Sequence, residues 1–253
     1  MFRTDRRGVS EVLGFVLVFS LVVASVGIVY TVGVGGLQDV RDAERVTNAE
    51  RAFDVLAENN DAVLRGEAPS RGTEIQLADA DLRVADPVVM NVTGTTADGT
   101  DETITGDRRL HPVEYSAGDE RLRYVGGAVI RESGDGAVML RDPPFVLEDT
   151  RALIPLYETR PGDRTAVGGD VTTRVRIFRT APPTVQVPDR ERYVNVTVRM
   201  NTTSPEPWAE YFEGQGFACS TGVPEADLRC EPGPDHEYDY VEVVSVRAIV
   251  EFE

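Results

Sequence analysis

Lysine is absent from the 253-residue chain, so every one of its 26 basic side chains is arginine. Against them stand 43 acidic residues and a net charge of -17. No basic patch is present to neutralise phosphates, which excludes nucleic acid as an expected partner. Cysteine is nearly as scarce, with Cys219 and Cys230 alone, and histidine is confined to His111 and His236. The chain has no H-E-x-x-H helix, no P-loop, no G-x-S-x-G elbow and no Cys/His arrangement with a base, so no enzyme and no cofactor is expected. Calcium ligands are offered by type at Asp79 with Asp81 and in the acidic stretch 98–107. EF-hand spacing is missing, however, and so acidic a composition places carboxylates side by side by itself. A metal pair made by the cysteines with His236 is the weaker alternative to a disulfide. No metal site is expected.

What is abundant is acid, and an acidic lysine-free chain reads as halophilic. Hydrated carboxylates keep a protein soluble in concentrated salt, where their mutual repulsion is screened within roughly 3 Å. With 41% hydrophobic residues, the chain can still build one or two packed domains.

From Val12 to Gly36 no charged residue occurs. As a helix rising about 1.5 Å per residue, this run is roughly 37 Å long, enough to cross a hydrocarbon layer near 30 Å with some tilt. The run is longer than the apolar region of a secretory signal, about 7 to 15 residues. Arg3, Arg6 and Arg7 precede it, so the positive-inside bias predicts a cytoplasmic N-terminus and an external remainder, with membrane lipid as a partner. Ser20, Ala24, Gly27 and Thr31 line one helical face with small side chains, the arrangement that lets membrane helices approach closely.

The helical period continues past the span, with Val46, Ala49, Phe53, Leu56 and Val63 at three- and four-residue spacings among charged neighbours. Gly66 and Pro69 supply the stop. One helix from about Ser10 to Arg65 is therefore predicted, apolar in its first half and amphipathic in its second. Beyond Pro69, short β-branched runs divided by Gly, Pro and Asp predict antiparallel strands, with a helical turn at Pro207 to Phe212 laid on the sheet and an exposed loop from Thr95 to Asp107. The fold class is α+β, a long N-terminal helix followed by a β-rich antiparallel head.

Asn91, Asn195 and Asn201 begin N-x-Ser/Thr sequons, which mark glycosylation if the head is exported. Outside the cytoplasm Cys219 and Cys230 are expected to form a disulfide.

The sequence Arg7-Gly8-Val9-Ser10-Glu11-Val12-Leu13-Gly14, followed by the apolar run, resembles the leader of archaeal type IV pilin-like proteins, in particular those of haloarchaea. The resemblance covers the first 36 residues. It implies cutting by a prepilin peptidase between Gly8 and Val9, contact with a pilus assembly machinery, and packing of the helices with other copies or other pilins in a filament core. Glu11 departs from the pattern: many archaeal pilins carry proline there, and bacterial pilins place their glutamate two residues later. As the third residue of a cut chain, Glu11 is the expected assembly residue, its carboxylate facing the new amino group of a neighbour. The resulting division is a leader at 1–8, a transmembrane helix at 9–36, an amphipathic continuation at 37–66 and an extracellular head at 70–253. The expected function is a pilin-like surface protein, a subunit or minor component of a filament on a halophilic archaeon. The alternative is a monomeric anchored protein that binds a ligand through its head.

Overall fold

The computed structural model describes residues 6–134, 136–148, 150–186, 193–224, 226–233 and 238–253, and of residues 6–11, 32–39 and 194 the backbone alone. Helix α1 runs over Arg6–Leu64. The chain divides into two compact units, Met1–Thr47 and Asn48–Glu253.

In the first unit, Val12–Thr31 is long and apolar enough to cross a membrane, with a mean hydropathy of 2.8 and none of it buried by protein. Phe15, Leu17 and Leu21 are each about 70% exposed. Two of its hydroxyls bond within the helix: that of Ser25 donates to the Val22 carbonyl, and that of Thr31 to Gly27 and Ile28. Such internal bonds lower the cost of carrying those hydroxyls into an apolar surrounding.

The second unit opens with the amphipathic turns of α1. Ala49, Phe53, Leu56, Ala57, Val63 and Leu64 are all buried to 2% exposure or less, because the 3.6-residue period puts them on one stripe. The helix closes in a Schellman motif: Gly66, at φ +83, donates to the Val63 carbonyl while the Glu67 amide reaches Ala62.

Strands follow in the order β1 (Ser70–Gln76), β2 (Ala80–Val84), β3 (Val88–Thr96), β4 (Asp101–Leu110), β5 (Val113–Ala117), β6 (Glu120–Val125), β7 (Ala128–Ser133) and β8 (Gly136–Arg141). Next come β9 (Val146–Glu148), β10 (Arg151–Pro161), β11 (Ala166–Gly169), β12 (Thr172–Arg179), β13 (Thr184–Gln186) and β14 (Tyr193–Asn201). Helix α2 (Pro205–Gly214) precedes β15 (Phe217–Val223), β16 (Ala226–Pro232) and β17 (Tyr240–Phe252). The described strands form three sheets. The first is ordered β1-β12-β17-β10-β9 with β13 on β17, the second β11-β2-β5-β6-β7-β8, and the third β15-β16-β14-β3-β4.

Two hydrophobic cores result. Phe53 and Leu56 of α1 share one with Leu82, Tyr115, Leu122 and Tyr124 of the second sheet and Val175, Val246 and Val250 of the first. The other joins the third sheet and α2 to the opposite side of the second sheet and to β10 and β17. The expected helical turn is a full α2, with Trp208 and Phe212 completely buried and stacked together with Phe145.

Two expectations are corrected. The head is not wholly antiparallel, because β10 and β17 pair in parallel from Arg151 opposite Tyr240 to Pro161 opposite Val250. The connection between them contains β11 to β16, long enough to carry the chain back to the same end. The stretch Thr95 to Asp107 is not a loop: β3 and β4 pair across it, and only 97–100 form the turn. Thr and acidic side chains on the outer face hid the alternation there, while Ile104 joins the core and Thr105 is buried with its hydroxyl accepting from the Val92 amide. Gly99, at φ +84, permits the turn, and Asp98 accepts hydrogen bonds from Thr96 and Thr100.

Candidate functional site

The most constructed polar site in the head starts from two tight turns. Gly118-Asp119 joins β5 to β6, and Gly126-Gly127, both at positive φ, joins β6 to β7. Two-residue turns leave no freedom in register. Glu114 is thereby set opposite Arg123, and Arg121 opposite Glu132, while Arg83 on β2 lies across from Glu114. Because side chains alternate along a strand, the same strands turn Leu82, Tyr115, Leu122 and Tyr124 to the other face and into a core. The charged face is the residue of that alternation.

On it the charges alternate in sign. Arg83 grips Glu114 through Nε and Nη2 at 2.8 and 2.6 Å. Arg123 Nε lies 3.4 Å from the second oxygen of Glu114, and its Nη1 lies 3.3 Å from Glu132. Arg121 closes the row 3.8 Å from Glu132. The ends are open and the middle is not: the side chains of Arg83 and Arg121 are 56% and 58% exposed, those of Glu114 and Arg123 6% and 7%.

The ladder also holds the loop that leads into α2. Arg123 Nη1 donates to Thr203 Oγ1 at 2.7 Å, and the Ser204 hydroxyl makes a short bond to Glu132. Asp227 on β16 accepts from the Thr202 amide at 2.8 Å. Between these elements lies a cleft of about 840 Å³, floored by the ladder and rimmed by Asn201, Glu206 and Asp227. Its chemistry is that of polar contact: two exposed guanidinium forks beside carboxylates and hydroxyls suit hydrogen bonding to a polar group. The buried serine of the cleft, Ser204, donates its hydroxyl to the Glu132 carboxylate.

A second buried charge, Asp61, belongs to the last turn of α1 itself. Asp61 bonds Arg141 on β8 at 3.0 Å through one carboxylate oxygen, while its Oδ1 has no hydrogen bond among the described residues. Burial pushes its carboxyl above the usual value, and Arg141 opposes that shift without cancelling it. Burial likewise raises the Tyr157 hydroxyl to about 12. Glu120 moves the other way, held low by its bond from Arg131, which also reaches Glu50 on α1 at 2.9 Å.

The residues singled out from the sequence are dispersed. Cys219 and Cys230 form the expected disulfide, directly opposite each other on β15 and β16 with Cα atoms 4.2 Å apart, close to the spacing of a pair without mutual backbone hydrogen bonds. Asn91 lies on β3, and Asn195 and Asn201 on β14. Gly8, Val9 and Glu11 fall on the backbone of α1, and their side chains, like the whole of His236, lie outside the described residues. His111 is structural, its Nδ1 3.2 Å from the Ala85 carbonyl. Among the described residues no group of three His, Cys, Asp or Glu side chains is placed to hold a metal ion.

The ladder itself went unseen in the sequence. Charges alternating with apolar residues look like any solvated strand face, although the two turns, counted outward, already pair Glu114 with Arg123.

A family model covers residues 7–251, nearly the whole of both units. The chain belongs to DUF7289. This is described as a family of unknown function. No curated protein and no solved structure matches the chain. The DUF7289 match takes in the apolar helix together with the head, so this member of the family carries the two as one sequence unit.

Proposed function

We propose that this DUF7289 protein is a pilin-like surface protein, anchored by its N-terminal helix and assembled with other helices of the same kind, its head outside the cell. The observation that carries this reading is α1 itself. One helix, Arg6–Leu64, contains an apolar segment covered by nothing and a segment whose apolar stripe is buried in a β-rich head. The uncovered segment needs lipid or other helices, and its small residues favour helices. Gly14 and Gly27 have nothing within 4 Å of where a Cβ would stand, so a neighbouring backbone has room to approach. The leader Arg7-Gly8-Val9 supports processing before assembly, as the resemblance implies. The disulfide supports a head in an oxidising compartment, and the acidic, lysine-free surface supports one bathed in strong salt, as on a halophilic archaeon.

The cleft favours a second reading, in which the head works as an anchored monomer that takes a polar ligand between Arg83 and Arg121. Intact mass of the protein extracted from membranes separates the two. Loss of Met1 to Gly8, together with cysteine cross-links between copies carrying Ala24→Cys, is the result expected of a pilin-like protein. A full-length chain that forms no such cross-link would overturn assembly and leave the anchored monomer.

A further inference from the structure

The three sequons were separate marks on the sequence, and the third sheet puts them on one surface. On β3 and β14, Met90, Val92, Val196, Val198 and Met200 are buried in the core. Side chains alternate along a strand, so Asn91, Asn195 and Asn201 all stand on the opposite face. Asn91 is opposite Arg199 in the register, and Asn201 is two residues further along the same strand, a diagonal neighbour about 7–8 Å away. Asn91 and Asn201 line one shallow depression of about 340 Å³ on this outer face, together with Arg199 of β14 and Asp107 of β4.

The sites are not equivalent. A sequon is read through its asparagine nitrogen and through the hydroxyl two residues on, so both must be reachable. Asn195 sits at the bulge in the β14–β3 pairing. Its carbonyl oxygen is buried, and its partner hydroxyl belongs to Thr197, only 5% exposed. Asn91 is half-buried in the middle of β3; its nitrogen donates to Asp107 at 3.3 Å, and Thr93 is held by Arg199. Asn201 is the last residue of β14 and is exposed, and its partner Thr203 has left the strand and is exposed as well, although its hydroxyl accepts a bond from Arg123 at 2.7 Å. Its oxygen accepts from the Asp227 amide at 3.4 Å, while its Nδ2 makes no protein hydrogen bond among the described residues.

We infer that Asn201 carries an N-linked saccharide, that Asn91 is occupied to a smaller extent, and that Asn195 stays bare. This rests on the reading that the head is exported. In the reaction Asn201 Nδ2 bonds to the anomeric carbon of a saccharide carried on a polyprenyl phosphate or diphosphate. The bond from that carbon to the phosphate oxygen breaks, the lipid phosphate leaves with its electron pair, and the nitrogen loses one proton. The saccharide stands on the outer face of the third sheet and at the rim of the charged cleft, since Asn201 lines both depressions. That face is consequently a solvent face and not a packing surface between subunits.

The test is site-resolved mass spectrometry of the full chain isolated from its own membranes, without reductant and with alkylation of free thiols, beside Asn201→Gln and Asn195→Gln variants. Saccharide on the Asn201 peptide, lost in Asn201→Gln and unchanged in Asn195→Gln, is the expected result. A bare Asn201 in a chain whose cysteines resist alkylation would overturn the glycan while leaving export intact. A bare Asn201 with both thiols alkylated would overturn export as well. Saccharide at Asn195 with Asn201 empty would show that the chain is modified before it folds and that exposure in the folded head does not select the site.

Discussion

Replacing Arg123 with methionine tests whether the charged ladder holds the head together. The guanidinium is 7% exposed and stands between Glu114 and Glu132, whose side chains are 6% and 18% exposed, and it also donates to Thr203. Methionine fills a similar length without charge, so the change removes one partner from a buried network and leaves two acids behind. Breaking a buried pair in this way costs about 3–5 kcal/mol. Here Glu114 keeps Arg83, and Glu132 keeps Ser204 and the more distant Arg121. The lower end applies, about 3 kcal/mol, or a fall in Tm of roughly 6–12 °C for a domain of this size. Differential scanning calorimetry of the full chain in detergent measures it. The loss should persist at molar salt, because buried charges are poorly screened, and Arg123→Met/Glu132→Gln should recover part of it by neutralising one stranded carboxylate. A variant melting within about 2 °C of wild type, or a loss that vanishes in salt, would mean that the ladder is solvated and the cleft open to its floor.

Four further outcomes are expected. Cutting the disulfide with Cys219→Ala/Cys230→Ala should cost about 3 kcal/mol in the chain-entropy picture for a loop of this length, and an unchanged denaturant midpoint would show that the β15–β16 hairpin is already closed when unfolded. Asp61→Asn should gain stability over wild type as pH rises from 4 to 7: a carboxyl raised by burial stabilises the fold only below its unfolded value of 3.8, and that contribution is lost as pH climbs through the higher folded value. Urea midpoints at the two pH values check this, and a gap that does not widen refutes it. Glu120→Gln should instead remove a contribution present above 4.5 and lost as wild type is acidified through its lowered folded value; identical acid-unfolding curves would contradict the role given to Arg131. Transferring the protein from molar to millimolar salt should lower Tm, since a net charge of -17 then repels itself unscreened, and an unchanged Tm would remove the halophilic reading.

Sequence alone determined the features that rest on local period and composition. The uncharged run from Val12, the stripe from Ala49 to Val63 and the Gly66 stop each follow from neighbours within a few residues, and α1 has those bounds to within four residues at either end. Trp208 and Phe212, four apart, marked α2 for the same reason. Cys219 and Cys230 needed no partner search, being the only pair. Tertiary structure decided whatever depends on which strand meets which. The parallel meeting of β10 and β17 brings together residues nearly ninety positions apart in register, and no local pattern encodes direction between such distant strands. The pairing of β3 with β4 was masked because a strand with a polar outer face alternates threonine with acid, as a loop also does. Burial of Arg123 was likewise invisible: charge in the sequence states what a side chain is, and only the packing of the Thr202–Ser204 segment over the second sheet states that water has been removed from around it.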